Sequence, residues 1–475
     1  MTRIRSPRRV LAALLALGLL AGACGDDDGG DASPTTEAAD DGGSGEGDGD
    51  WRTLRVPTDY ETIQAAVDAA EPGDLVLIEP GVYEEAVDVT TENLTIRGLD
   101  RNEVILDGGF ELQNGIRVLA DGVAIENMTA RNYTTNGFFW TGVTGYRGSY
   151  LTAYRNGDYG VYAFDAVKGQ LEHIYASGSP DAGIYIGQCY PCDAVIDDVI
   201  SEYNGLGYSG TNSGGNLLIV NSTFRYNRAG IVPNSGSYEL CYPERETTIV
   251  GNVVHGNSQP DTPAISVALL GMGNGILLAG GNRNVVERNL VFDHERTGIG
   301  LVPFPEEQAN DVVPPQEDWE RPCAETRDDP LPDLPEEDLA LVLWDPVGNV
   351  IRDNVVSGSG LADLALGSLQ DDLASLGNCF GGNTFETTAP AQLEALAPCE
   401  GDPTATDWTT GALDLLELMA AERPPSIDYE EAPTPEPPAQ PNMPDAETAP
   451  PRPATNVPFP VDLAAITVPE RPEGT

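Results

Sequence analysis

The chain has 475 residues, a formal net charge of -51 and 40% apolar residues. So large an acid excess repels phosphate backbones; it argues against nucleic-acid partners and for solubility and cation binding. Lys168 is the single lysine, so the other basic side chains are arginines, and length alone sets a soft expectation of two or three domains.

The N-terminus reads "MTRIRSPRRV", with Arg3, Arg5, Arg8 and Arg9. The apolar run "LAALLALGLL" follows and is too short to span a bilayer comfortably. Next comes "LAGAC", ending at Cys24. This resembles a bacterial lipoprotein signal, with small residues before a cysteine that receives the lipid. Ala21 stands where that pattern more often has Leu. The resemblance implies a signal peptide over residues 1–23, lipidation at Cys24, and a lipid anchor as the sole membrane attachment. A plain secretory signal cut nearby gives the same extracytoplasmic compartment. Residues 24–50 are acidic and rich in Gly and Ser, and are expected to be a flexible tether.

"DYETIQAAVDAA" has helical periodicity, with Ile63, Ala66, Val67 and Ala70 on one face. After it, short strand-like runs alternate with Pro-Gly breaks. From Asn114 onward a glycine followed by alternating apolar residues recurs: Gly115, Gly137, Gly160, Gly183, Gly207, Gly230, Gly275 and Gly298. The steps are 22, 23, 23, 24, 23, 45 and 23 residues. A fixed period in the low twenties is the signature of a stacked solenoid, and the 45-residue step reads as one coil enlarged by insertions. An asparagine also keeps phase: Asn127, Asn221, Asn252, Asn289, Asn354 and Asn383. Stacked asparagine amides can bond the coils above and below.

On these repeats the chain resembles the right-handed parallel β-helix superfamily, the pectin-lyase-like fold. Its segment "TIQAAVDAAEPGDLVLIEPGVYEEAVDV" is similar to the start of that family and of its periplasmic copper-associated NosD type. The resemblance covers roughly residues 51–399 and implies an all-β solenoid capped by the N-terminal helix. The β-helix is expected over residues 51–400. Residues 401–475 are expected to hold a short helix, "LDLLELMAA", and a Pro-rich tail. The apolar "FPVDLAAITV" in that tail suggests that part of it docks on the solenoid.

In family geometry the glycine-anchored strands face the substrate groove. Alternation then points Arg117, Phe139, Tyr162, Tyr185, Ser209, Val232, Leu277 and Gly300 outward. Phe139, Tyr162 and Tyr185 form an aromatic column about 4.8 Å apart per rung, able to stack on sugar rings or simply on each other. Tyr133, Tyr154, Tyr159, Tyr190 and Tyr203 lie nearby in sequence. The turn before each strand holds Thr135, Asp158, Asp181, Gly205, Arg228 and Arg296. Asp158 and Asp181 on adjacent coils can divide acid and base roles, bind Ca²⁺, or form a solvated pair. Arg228 in that column is a candidate substrate contact. "FDHERTG" offers His294 beside Arg296 in a predicted exposed turn, a proton-abstracting arrangement for uronates. No clear catalytic signature of the superfamily is present, no metal site is indicated beyond that Ca²⁺ option, and few His and Met leave copper unsupported.

Cys189 and Cys192 form a C-x-x-C, which by itself suggests a redox dithiol or half a zinc site. The period instead places them in a β-turn leaving a groove strand, without further ligands or a helix N-terminus. Apart from Cys24 six cysteines remain, an even number in an oxidising compartment. The expected pairs are Cys189 with Cys192, Cys241 with Cys323 and Cys379 with Cys399; Cys189 with Cys241 stays open. Three functions fit: a monomeric surface lipoprotein binding extracellular polysaccharide along the aromatic groove, a lyase, epimerase or glycoside hydrolase on the same fold, or an envelope or adhesion protein.

Overall fold

The computed structural model describes residues 51–306, Cys323, 342–472 and Gly474. The expected signal sequence, Cys24, the expected tether and most of the Pro-rich acidic stretch after Pro303 lie outside the described residues.

Three parallel ladders wind around one apolar column. The first runs from Thr53–Val56 and Leu75–Ile78 up to Cys379–Gly381. The second runs from Gly81–Tyr83 and Val104–Asp107 up to Val355–Ser359. The third runs from Val87–Val89 to Thr388–Ala389 and carries the glycine-anchored strands. Val123–Arg131 and Thr144–Tyr154 are long enough to serve both the first and second ladders. This is the parallel β-helix expected from the repeat. In the third ladder Ile116, Phe138, Val161, Ile184, Tyr208, Ile231, Ile276, Ile299 and Leu364 pair rung to rung, all fully buried. Ile231 pairs directly with Ile276, so the 45-residue step is a single enlarged coil.

The glycine period has a steric cause. A Cβ on Gly160 would stand 2.7 Å from the Gly183 carbonyl oxygen and 3.1 Å from the Ala153 methyl. Any side chain there would push neighbouring coils apart.

Helix α1, Ile63–Ala69, is shorter than the periodicity suggested, because Asp59 and Tyr60 turn back onto the Arg55 carbonyl. Thr62 caps it by accepting from Ala65, and Ile63, Ala66 and Val67 close the end of the apolar column. Three short helices follow: α2, Ser266–Gly271, in the enlarged coil; α3, Leu393–Leu396; and α4, Leu415–Ala420.

Asparagine stacking occurs in three columns. Asn252 donates to Asn289, Asn289 to Asn354 and Asn354 to Asn383, whose column ends on Glu394 of α3. Asn204, Asn227 and Asn257 form a second column, and Asn284, Asn349 and Asn378 a third. Asn127 and Asn221 are not rungs. Both adopt positive φ, where Asn is tolerated in tight turns, and Ser222 rather than Asn221 joins the column.

The disulfides are Cys189 with Cys192, Cys241 with Cys323 and Cys379 with Cys399.

The C-terminal segment docks along nearly the whole stack. Past α4, the carbonyls of Pro424 and Pro425 accept from Arg228, and those of Tyr429 and Glu430 from Arg155. The segment continues to the N-terminal coils, where Arg97 donates to Ala446, Ala449 and Pro450. It then reverses. Arg452 donates its backbone N–H to Thr95, and Phe459 donates to Gln170. Val461, Leu463 and Ile466 pack on Val195, Val220 and Val250, and Arg471 reaches Asp293 at 2.9 Å. A Pro-rich chain presents many carbonyls and few N–H groups, so arginine is the matching donor.

Candidate functional site

The outward column of the third ladder follows the alternation: Arg117, Phe139, Tyr162, Tyr185, Ser209 and Val232 are register partners. Arg117 is tied to Asp88 at 2.8 Å. Phe139 and Tyr162 stack with ring centroids 4.7 Å apart, and Tyr159 stacks on Tyr162 at 4.3 Å. Phe139, Tyr159, Tyr162 and Phe164 are all partly exposed. From Leu206 onward the face is covered. Ala229, Val232 and Leu277 pack against Tyr242, Ala264, Ala268, Phe304 and Trp344, which the insertions supply. The groove therefore has an open floor of aromatics that ends against a wall.

Tyr185 lies at that wall and is 1% exposed. It was expected to extend the open stripe, but its hydroxyl donates to Glu239 at 2.6 Å, and the insertion carrying Glu239 covers it. Tyr190 is likewise buried, with Arg245 over its ring at 3.6 Å and its hydroxyl on Glu246. The disulfide of Cys189 and Cys192 thus holds Tyr190 in the wall rather than open at the groove.

Asp158 and Asp181 stand on adjacent rungs, with the Asp181 N–H on the Asp158 carbonyl. Tyr159 donates to Asp181 at 2.5 Å. Burial pushes Asp181 up to about 7, against the pull of the Tyr159 hydroxyl, and the charge of Asp158 adds to the rise. Burial pushes Glu239 up to about 8, opposed by the Tyr185 hydroxyl and reinforced by Asp181. Asp158 is raised by burial alone. Among the described residues none of these three carboxyls has a salt-bridge partner. Tyr159 and Tyr185 are raised far above the usual phenol value and stay neutral donors. The arrangement can stack a sugar ring, accept hydroxyl hydrogens, and hold a proton near neutrality.

The other candidates fall elsewhere. His294 is buried, not in an exposed turn. Its Nε2 meets the Val254 carbonyl at 3.2 Å, one coil beyond the equivalent bond from Asn257 to Phe224. It replaces an asparagine in the second amide column, and burial lowers it to about 4, so it stays neutral. Arg228 is fully buried and spends its donors on Pro260, Thr262, Pro424 and Pro425, so it does not face the groove. Arg296 is four rungs from Asp181, roughly 19 Å along the stack, and lines a separate cavity. His173 is partly exposed and bonds Asp198 at 2.6 Å. Glu239 was not anticipated, because nothing in "SGSYELCYPERE" tells where that insertion folds back. Among the described residues no group of three or more His, Cys, Asp or Glu is placed to hold a metal ion.

The proton balance of the wall gives a pH dependence. The folded state binds more protons than the unfolded chain between about pH 5 and 8, so stability is full below that range and falls as pH rises through it. We expect Glu239→Gln to leave thermal stability unchanged at pH 5 and to raise it by a few kcal/mol at most at pH 9. Melting curves across pH check this.

The fold and site define a parallel β-helix with a half-covered aromatic groove. No family model matches the chain, and no curated protein matches it. Solved structures similar to it include the A-module of the mannuronan C-5 epimerase AlgE6 of Azotobacter vinelandii, at 15% identity and TM-score 0.41, covering 70% of this chain and 95% of that one. Pectate lyase Pel9A aligns at 11% identity and TM-score 0.39, covering 76% and 87%. An alginate lyase of Paenibacillus sp. str. FPU-7 aligns at 12% and 0.37, covering 71% and 99%. At such scores the likeness says nothing about the chemistry of this chain.

Proposed function

We propose that the protein binds a glycan chain in the open half of the groove, as a surface protein anchored outside the cytoplasm through Cys24. The observation that carries this reading is the stacked, partly exposed pair of Phe139 and Tyr162 running into a wall of carboxyls and tyrosines. Apolar faces of sugar rings stack on such a floor. Among the described residues no arginine or lysine pairs with these carboxyls to receive a uronate, which favours a neutral or amino-sugar chain. A second reading, glycoside hydrolysis, is favoured by Asp181 and Glu239, which hold protons near neutral pH as a general acid must.

Titration calorimetry with neutral, amino and uronate oligosaccharides tests both. Binding to the neutral or amino series, weakened about ten-fold by Phe139→Ala or Tyr162→Ala, is the expected result. Preference for uronates, or no binding, overturns the ligand class or the reading itself. New reducing ends that vanish in Glu239→Gln would establish the hydrolase. Recovery in the membrane fraction, lost in Cys24→Ser, checks the anchor.

A further inference from the structure

A second cavity lies further along the third ladder, beyond the wall. Leu277, Val302 and Phe304 form its floor, Leu270 of α2 one side, and Leu415 and Met419 of α4 the other. It encloses about 90 Å³. At roughly 10–15 Å³ per water-sized occupant, that holds an apolar tail of about six to nine heavy atoms, with a polar head left at the mouth. An apolar cavity of this kind is ordinary; its two charged residues are not.

Arg296 and Arg423 both line it. Arg423 donates Nη1 and Nη2 to the carbonyls of Leu418, Met419 and Ala421, while its Nε is buried without a partner. The Arg296 guanidinium makes no hydrogen bond or ion pair among the described residues. Burial lowers Arg423 to about 10, and the charge of Arg296 adds to the fall. Acidic residues outnumber basic ones 76 to 25 in this chain. Most of the other described arginines find carboxylates or backbone carbonyls, as Arg97, Arg147 and Arg225 do. Two guanidiniums lining one cavity with no carboxylate partner among the described residues are therefore unusual in this chain. Each repels the other, and an anion between them would relieve that cost with charge-assisted hydrogen bonds.

The geometry points to a binding site for an anionic amphiphile, a medium-chain acyl carboxylate whose head sits between Arg296 and Arg423 and whose tail lies against Leu277, Leu270 and Met419. The site is separate from the aromatic groove and stands whether or not that groove binds a glycan. An internal apolar filler would need no charge at its mouth, and a simple anion would need no apolar walls; only a molecule with both parts matches both features.

Titration calorimetry on the full chain with octanoate, octanol and acetate tests it. Octanoate is expected to bind at least ten-fold tighter than octanol, which lacks the charge, and than acetate, which lacks the tail. Arg296→Gln is expected to remove the preference for octanoate over octanol while leaving octanol binding in place. Leu270→Trp, which fills the cavity, is expected to abolish both. Equal affinity for octanol and octanoate, or no binding of octanoate to the unaltered chain, overturns the proposal. That comparison needs no variant, so a misfolded substitution does not obscure it.

Discussion

Ending the chain at Ala421 is expected to lower the apparent Tm by on the order of 10 °C and to increase binding of a hydrophobic dye. The deleted residues 422–475 cover charges that a solenoid rarely hides. Arg97 and Arg101 are 0% and 2% exposed. Arg97 donates to three carbonyls of the tail, and Arg101 takes the Asn442 side chain on its backbone N–H. Hydrogen bonds from charged donors contribute about 1.5–3 kcal/mol each, part of which water would restore. Water restores nothing to the apolar contacts. Val461, Leu463, Ile466 and Val468 cover Val195, Val220, Val250, Val253, Leu290 and Phe292, and those six would be bared. Ordering the tail costs chain entropy, which its prolines reduce by restricting the unfolded chain. Ile466→Asp is expected to act in the same direction with a smaller effect, because Ile466 is one of four apolar side chains in that contact. An unchanged Tm in the truncated chain would show that the docked segment contributes nothing.

The second large effect is expected at Glu126, which lies beneath that segment. Its carboxylate bonds Arg97 at 2.6 Å and also Arg147, and Arg147 continues to Glu172 at 2.7 Å. The side chains of Arg97 and Glu126 are both 0% exposed. Glu126→Ala leaves two buried guanidiniums short of their counter-charge, and removing one partner from such a network costs about 3–5 kcal/mol. Glu126→Gln keeps an acceptor and is expected to cost less. The pair Arg97→Met with Glu126→Leu is expected to recover only part of the loss, since it removes one stranded guanidinium but leaves Arg147 short of a partner and deletes the Arg97 bonds to the tail carbonyls. Urea unfolding of the four proteins separates these outcomes. Added salt should change them little, because buried pairs are poorly screened.

The fold was legible because its causes are local and periodic. Gly160 has to be glycine to let coils approach, and Ile184 has to be apolar to fill the column, so both repeat with the coil. The outward column from Arg117 to Val232 follows directly from that period. The site was legible only where it is built from the same strands, at Phe139, Tyr162, Asp158 and Asp181. Its other half comes from insertions, and an insertion has no period. Glu239 and the covering of Tyr185 could not be read for that reason. His294 misled because a histidine in a turn reads as exposed chemistry, whereas the coil needed only a ring nitrogen where its neighbours use an amide. Arg228 misled similarly. Its column faces the groove in the lower coils, but at its own coil residues 260 and 262 and the returning tail occupy that space.

Stacked repeats ordinarily fray from either end, because each unit touches only its neighbours. Here a bond such as that from Arg97 to Ala446 joins residues 349 positions apart. The docked segment raises the contact order of a fold that would otherwise have local contacts, and formation of the complete structure becomes slower. It also couples coils that would open independently. Amide exchange in this solenoid should therefore show one broad cooperative unit in place of a gradient of protection running in from the ends.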